Sequence, residues 1–206
     1  NLISAVIKSN ATSTEGGLEN GTWLWTPLMT ITPEYRAFII SGAKTNGIKT
    51  IYLSIDSYLD VFVMPDGAEK IKAKKSFDKA LEDFITEAHK NGISVDAEAG
   101  WQNWAEAGNS YKAYAVLDYA INFNKKHTEK LRGFQYDVEV YLLPEYQIDK
   151  HIVLYNFLNL IDQSVAKLNN SDLVLSVVVP EFYDGENGET PEFSYRGERG
   201  YTLHHL

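Results

Sequence analysis

Two hydrophobic periodicities alternate along this chain. Short apolar runs with a two-residue repeat are followed by stretches whose apolar residues recur every three or four positions, the signatures of strand and helix. Thr22-Trp-Leu-Trp-Thr26 reads as a first strand. Thr32 then supplies an N-cap and Pro33 the first helical position, opening a helix that stops at Asn46-Gly47. Ile48–Asp56 reads as a second strand, with Ile51, Leu53 and Ile55 on one face and Tyr52, Ser54 and Asp56 on the other. A loop of about 18 residues containing Met64-Pro-Asp-Gly67 is expected next, a length that often marks a functional segment. Phe77, Leu81, Phe84, Ile85 and Ala88 then predict a helix over Ser76–Lys90, closed by Asn91-Gly92. Ile93–Gly100 is a third strand, and Asn109 or Ser110 caps a helix running to Lys126. Leu131–Leu143 reads as the fourth strand, Asp149–Leu168 as a helix, and Leu173–Pro180 as the fifth strand. Residues 1–21 lack periodicity and are rich in Ser, Thr, Gly and Asn, so they read as a leader or linker before a domain over residues 22–206.

This strand–helix order with apolar strands implies an α/β fold with parallel strands and helices outside. A closed (β/α)8 TIM barrel and an open doubly wound sheet both fit it. Two observations favour the barrel. No Gly-rich phosphate loop follows any strand. Acidic or aromatic side chains stand at the carboxyl end of nearly every strand, where barrel enzymes gather their chemistry: Trp25, Asp56, Asp96 with Glu98, Asp137 with Glu139, and Glu181. Five strand–helix units are legible, followed by a tail that ends at Tyr201-Thr-Leu-His-His-Leu206. The expectation is therefore a partial barrel, with strands six to eight supplied by residues beyond Leu206 or by a partner.

The fourth strand is the most informative stretch. Gln135, Asp137 and Glu139 share one face, while Phe134, Tyr136 and Val138 share the other. Two carboxylates two residues apart repel each other, which tends to raise one pKa and keep one group protonated near neutrality. Catalysis or ligand binding explains that better than folding does, although a salt-bridged core strand uses the same residue types. Aromatic residues add a second signal. Trp101 and Trp104 follow the third strand, Tyr141 follows Glu139, and Phe182-Tyr183 follow the fifth strand. Aromatic faces stack on sugar C–H surfaces, and the same rings serve equally well to pack loops on a barrel.

Composition narrows the classes. A net charge of −9 over 206 residues argues against a nucleic-acid partner. The absence of cysteine removes thiolate chemistry, disulfides and Cys-type zinc sites. No apolar run approaches the roughly 20 residues of a membrane span. His89, His127 and His151 fall in or near helices rather than at strand ends, which disfavours a His-ligated metal, and no Gly-x-Ser-x-Gly elbow supports a Ser–His–acid triad. A carboxylate-only cation site from Asp56, Asp96, Glu98, Asp137 and Glu139 stays open, but no metal or cofactor is expected.

Arg132-Gly-Phe-Gln-Tyr-Asp-Val-Glu139 resembles the strand-four signature of chitinase-like (family 18) glycoside hydrolases, Asp-Gly-x-Asp-x-Asp-x-Glu. In that register Gly133 is the signature Gly, Asp137 the last Asp and Glu139 the catalytic acid, while Arg132 and Gln135 replace Asp. The resemblance implies an O-glycosyl hydrolase that attacks an N-acetylated or related polysaccharide with help from the substrate's own N-acetyl group. Asp137 orients that group, and Glu139 protonates the leaving oxygen. Gln135, Tyr141, Trp101, Trp104, Trp25, Asp56, Asp96, Glu98 and Glu181 are the expected substrate contacts. For a sugar without N-acetyl, Glu98 and Glu181 are the candidate second carboxylates. Leu203-His-His-Leu206 resembles the helix before the family's sixth strand, whose Met-x-Tyr-Asp motif is not in this sequence, and the third strand carries Ser94-Val-Asp-Ala-Glu-Ala-Gly100 in place of Ser-x-Gly-Gly. Such an activity implies an extracytoplasmic or secreted location. A catalytically weak carbohydrate-binding barrel and a structural surface protein are the alternatives.

Overall fold

The computed structural model describes residues 2–8, 20–186 and 188–206. Among the described residues six strands form one sheet: β1 (Leu2–Lys8), β2 (Gly21–Leu24), β3 (Thr50–Ser54), β4 (Ser94–Ala99), β5 (Gly133–Tyr136) and β6 (Val174–Pro180). β2 to β6 pair in parallel and in chain order, and β1 adds antiparallel to the far edge of β6. The five parallel strands curl into a half-barrel that alternates with helices. These are α1 (Pro33–Thr45), α2 (Tyr58–Phe62), α3 (Ala68–Lys90), α4 (Ser110–Lys126), α5 (Pro144–Ile148) and α6 (Lys150–Lys167). A hairpin of β7 (Phe193–Tyr195) and β8 (Glu198–Gly200), then α7 (Thr202–His205), follow β6.

Local chemistry sets these boundaries. The Thr32 side chain accepts from the Tyr35 N–H and Pro33 occupies the first turn of α1, as the Thr-Pro pair predicts. Asp149 caps α6 by accepting from the Ile152 N–H. Gly47 and Gly92 end α1 and α3 with φ of 69° and 71°, the left-handed region that a side chain disfavours. Gly42 differs from them: it lies inside α1 with nothing within 4 Å of an added Cβ. Gly42→Ala therefore removes backbone freedom from the unfolded chain without a clash, and should stabilise the protein by about 0.5–1 kcal/mol in thermal unfolding.

The two faces of the sheet differ in chemistry. Ile51, Leu53, Val95, Ala97, Phe134, Tyr136, Leu175 and Val177 are fully buried under the helices, against Phe77, Leu81, Phe84, Val116, Leu117, Leu154 and Phe157. Burying each large side chain is worth about 1.5–3 kcal/mol, so this convex layer dominates stability. The Tyr136 hydroxyl donates to the Ala113 carbonyl and accepts from Ser164, which satisfies the polar atom that an aromatic core residue brings with it. Alternation places Tyr52, Ser54, Asp96, Glu98, Gln135 and Ser176 on the opposite, concave face, a polar surface held by hydrogen bonds. Trp23 stacks on Tyr52 and donates to Gln135 Oε1 at 2.7 Å, and Gln135 Nε2 donates to Ser176 Oγ at 3.0 Å.

Three expectations need correction. The loop around Met64-Pro-Asp-Gly67 is short, because α2 and an earlier start of α3 occupy most of it. The first turns of α3, Ala68–Lys75, carry strong helix formers and the i,i+4 pair Lys74–Asp78 but no apolar stripe, so periodicity does not register them. The supposed leader contributes β1, which pairs along β6 from Leu2↔Pro180 to Lys8↔Leu175; residues 9–19 of it lie outside the described residues. The fourth parallel strand ends at Tyr136, so Asp137 follows it and Glu139 stands past a turn rather than on a strand face shared with Gln135. Ahead of the tail lies the β7–β8 hairpin, whose turn places Arg196 and Gly197 at φ of 50° and 87°, as a tight hairpin requires.

Candidate active site

The site sits where β3, β4 and β5 end. Asp56 lies just past β3, Glu98 is the penultimate residue of β4, and Asp137 directly follows β5. With Glu139, Trp25, Gly100, Trp101 and Gln102 they line an open cleft of about 230 Å³. A larger groove of about 630 Å³ runs between α1 and α3, where Arg36 pairs with Glu87 and Lys79 with Asp83.

Glycine lets these strand ends converge. A Cβ on Gly100 would stand 2.0 Å from the Asp137 carbonyl oxygen, so only glycine permits the approach of the β4 and β5 ends. The Gly100 N–H donates to Asp56 Oδ1 at 3.1 Å. Glu98 pairs in register between Ser54 and Gln135 and is 2% exposed; its Oε2 has no hydrogen-bond partner, nor does the buried Oδ1 of Asp137. Beyond Asp137 the chain turns sharply. Glu139 has φ −83° and ψ 65°, and Val140 N–H donates to the Val138 carbonyl, which is an inverse γ-turn at the strand end. The turn carries the Glu139 carboxyl to the rim, where it accepts a hydrogen bond from the Tyr141 hydroxyl. The Tyr141 ring packs edge-on against Phe182 at 5.6 Å.

Burial and mutual repulsion set the electrostatics. Burial, then the charges of Asp56 and Asp137, push Glu98 up to about 8, although a hydrogen bond from Ser54 opposes them. Burial and the Asp137 charge push Asp56 up to about 7, against the Gly100 N–H. Burial and the neighbouring Glu139 charge push Asp137 up to about 6. The cleft therefore holds protons at neutral pH that ordinary carboxyls release.

That carries a stability consequence of definite sign. Unfolded, these carboxyls titrate near 3.8 and 4.5, so between there and about pH 8 the native state binds more protons than the unfolded one. Stability contributed by the protonated forms is lost as pH rises through this window and levels off above it. The urea midpoint should fall from pH 5 to pH 9, and Glu98→Gln, which cannot ionise, should fall less. Parallel pH profiles for the two proteins would contradict this.

Most of the expected site residues meet here. Trp25 and Trp101 flank the cleft at 66% and 59% exposure, and Asp56, Glu98, Asp137 and Glu139 line it. Tyr141 touches it through Glu139. The other four do not reach it. Asp96, two residues earlier on β4, is clamped by Arg132 in a two-pronged ion pair at 2.9 and 2.8 Å, deep on the concave face. A Cβ at Gly133 would stand 2.8 Å from Asp96 Oδ2, so glycine makes room for that carboxylate. Gln135 is fully buried, engaged with Trp23 and Ser176 beneath the cleft. Trp104 is 1% exposed and belongs to the core. Glu181 is exposed in a short helical turn after β6 and does not line the cleft. The Gly100 N–H and Ser54 belong to the site with no signal in the sequence beyond their position at strand ends. Among the described residues no three His, Asp or Glu side chains converge at metal-binding geometry, and no helix is long and apolar enough to cross a membrane.

No family model matches the chain, and no curated protein or solved structure matches it.

Proposed function

We propose that this protein is a glycoside hydrolase acting on a polysaccharide or glycan, built on a (β/α)8-type framework, with Glu139 as proton donor and Asp137 as its partner. One observation carries the reading: a carboxyl pair at the end of a parallel strand, with a proton held on Asp137 up to about pH 6, opens into a cleft flanked by two exposed tryptophans. The in-order parallel strands accord with a barrel, whose chemistry gathers at the carboxyl ends.

In this reading the Trp25 and Trp101 faces hold sugar rings while Glu139, on its turn at the rim, protonates the glycosidic oxygen. Asp137 lies one step deeper and holds the proton of the pair, partly because of the Glu139 charge beside it; in this reading that proton passes to Glu139, which gives it to the leaving oxygen. It orients the substituent next to the reacting carbon. Where that substituent gives no internal nucleophile, a second carboxylate is needed, and Asp56 and Glu98 line the cleft whereas Glu181 does not.

Arg132 and Gln135 support a second reading, a carbohydrate-binding barrel. They are engaged with Asp96 and with Trp23 and Ser176, so the carboxylates that the resemblance places there are replaced by an ion pair and a neutral amide. Reducing-end release from a panel of soluble glycans separates the two. Turnover supports the hydrolase, and saturable binding without release supports the binding barrel.

A further inference from the structure

The cleft has an unusual charge balance for a sugar site. Four of its lining side chains are carboxyls, Asp56, Glu98, Asp137 and Glu139, and among the described residues no Lys, Arg or His lines it. On the concave face Arg132 is bound to Asp96. Two carboxyl oxygens facing this space are buried without a partner, Glu98 Oε2 and Asp137 Oδ1, and Glu98 is 2% exposed. A buried acceptor left unpaired is costly, and such a group in a native fold calls for a missing donor.

We propose that the cleft binds an amine-bearing sugar, a glycan containing hexosamine units with free ammonium groups, and that the ammonium is held by Glu98 and Asp137 between Trp25 and Trp101.

This rests on the glycoside hydrolase reading for the ring-binding role of the tryptophans and names the substrate class for the same site. The chemistry selects it in three ways. An ammonium carries three donors and a positive charge, so it pairs both orphan oxygens and neutralises the repulsion among the carboxyls. A neutral hydroxyl supplies a donor but leaves the repulsion, and a uronic acid adds to it. Tryptophan faces attract cations as well as sugar C–H surfaces, so the same two rings serve ring and charge together. The chain's net charge of −9 adds long-range attraction for a polycation.

Proton release is a second signature. Glu98, Asp56 and Asp137 hold protons near neutrality because burial and one another's charges penalise ionisation. A bound ammonium offsets that penalty, so at pH 5.5, where the sugar amine is already protonated, binding drives protons off the cleft into the buffer.

Isothermal titration of the whole chain at pH 5.5 and low salt tests it, with a β-1,4-linked glucosamine tetramer, the N-acetylglucosamine tetramer and cellotetraose as probes. The glucosamine tetramer should bind about 10- to 100-fold more tightly than cellotetraose, the worth of a charge-assisted hydrogen bond. Its binding should release protons, read as a dependence of the heat on buffer ionisation enthalpy. Glu98→Gln, equal in size, should remove that preference; if the variant does not fold, proton release by the natural chain still decides. Equal or tighter binding of the neutral or N-acetylated tetramer overturns the proposal, as does binding of no oligomer. So does calcium occupying the cleft at micromolar concentration while the glucosamine tetramer stays unbound. Hydrolysis of N-acetylated or neutral glycans alone would sink the amine preference and leave the hydrolase standing. Glu98-dependent binding of the glucosamine tetramer without hydrolysis of any glycan would do the reverse.

Discussion

Glu139→Gln should lower kcat for glycan hydrolysis by about 10²–10⁴-fold, the usual contribution of a positioned general acid, while leaving KM within a few-fold. The reason is local. Glutamine keeps the size of the side chain, and its amide oxygen still accepts from the Tyr141 hydroxyl, so the rim geometry persists. It cannot give up a proton to a departing oxygen. It also removes the charge that helps push Asp137 up to about 6, so Asp137 should titrate lower in the variant. A glycoside with a good leaving group, which needs little protonation, should recover most of the lost rate. That rescue distinguishes loss of acid from loss of shape. Steady-state kinetics on a poor and a good leaving group make the measurement, and a loss below tenfold on the poor one would remove Glu139 from the proton-donor role.

The sequence exposes the framework because the convex face obeys a strict alternation. Ile51, Leu53 and Ile55 are each fully buried, and Thr32-Pro33 and Asn46-Gly47 bound α1 where capping chemistry places them. The cleft is partly legible for the same reason, since Asp56, Glu98 and Asp137 fall at or just past strand ends on the polar face, whereas a turn that alternation does not register brings Glu139 to the rim. What periodicity cannot distinguish is depth and partnership. Asp96 and Glu98 share a face and a strand, yet one is neutralised by an arginine distant in sequence and the other keeps a buried oxygen, Oε2, without a partner. Trp101 and Trp104 are three residues apart, but the short helical turn Gln102–Ala105 returns the second ring to the core. β1 escaped because its strand character depends on the edge of β6, not on its own alternation.

The largest effect on stability from a small substitution should come at Gly100. Its Cβ would lie 2.0 Å from the Asp137 carbonyl oxygen and 2.2 Å from the carbonyl carbon, both backbone atoms that cannot rotate away. Gly100→Ala must therefore separate the ends of β4 and β5, where the Asp137 N–H donates to the Ala99 carbonyl at 3.1 Å. Overpacking against backbone is at the upper end of such costs, about 3 kcal/mol, or roughly 6–12 °C in Tm for a chain of this size. The separation also draws the Gly100 N–H off Asp56 and widens the gap between Glu98 and Asp137, so sugar binding should fall along with stability. Gly188→Ala is the control for strain without a clash. It has φ of 66° and open space for a Cβ, so it should cost only about 1–2 kcal/mol, with binding unchanged. Thermal unfolding and sugar titration of both variants decide it. Equal Tm values for the two would mean that the β4 and β5 ends stand farther apart than this architecture requires, and that the carboxyls of the cleft are not held together by the glycine between them.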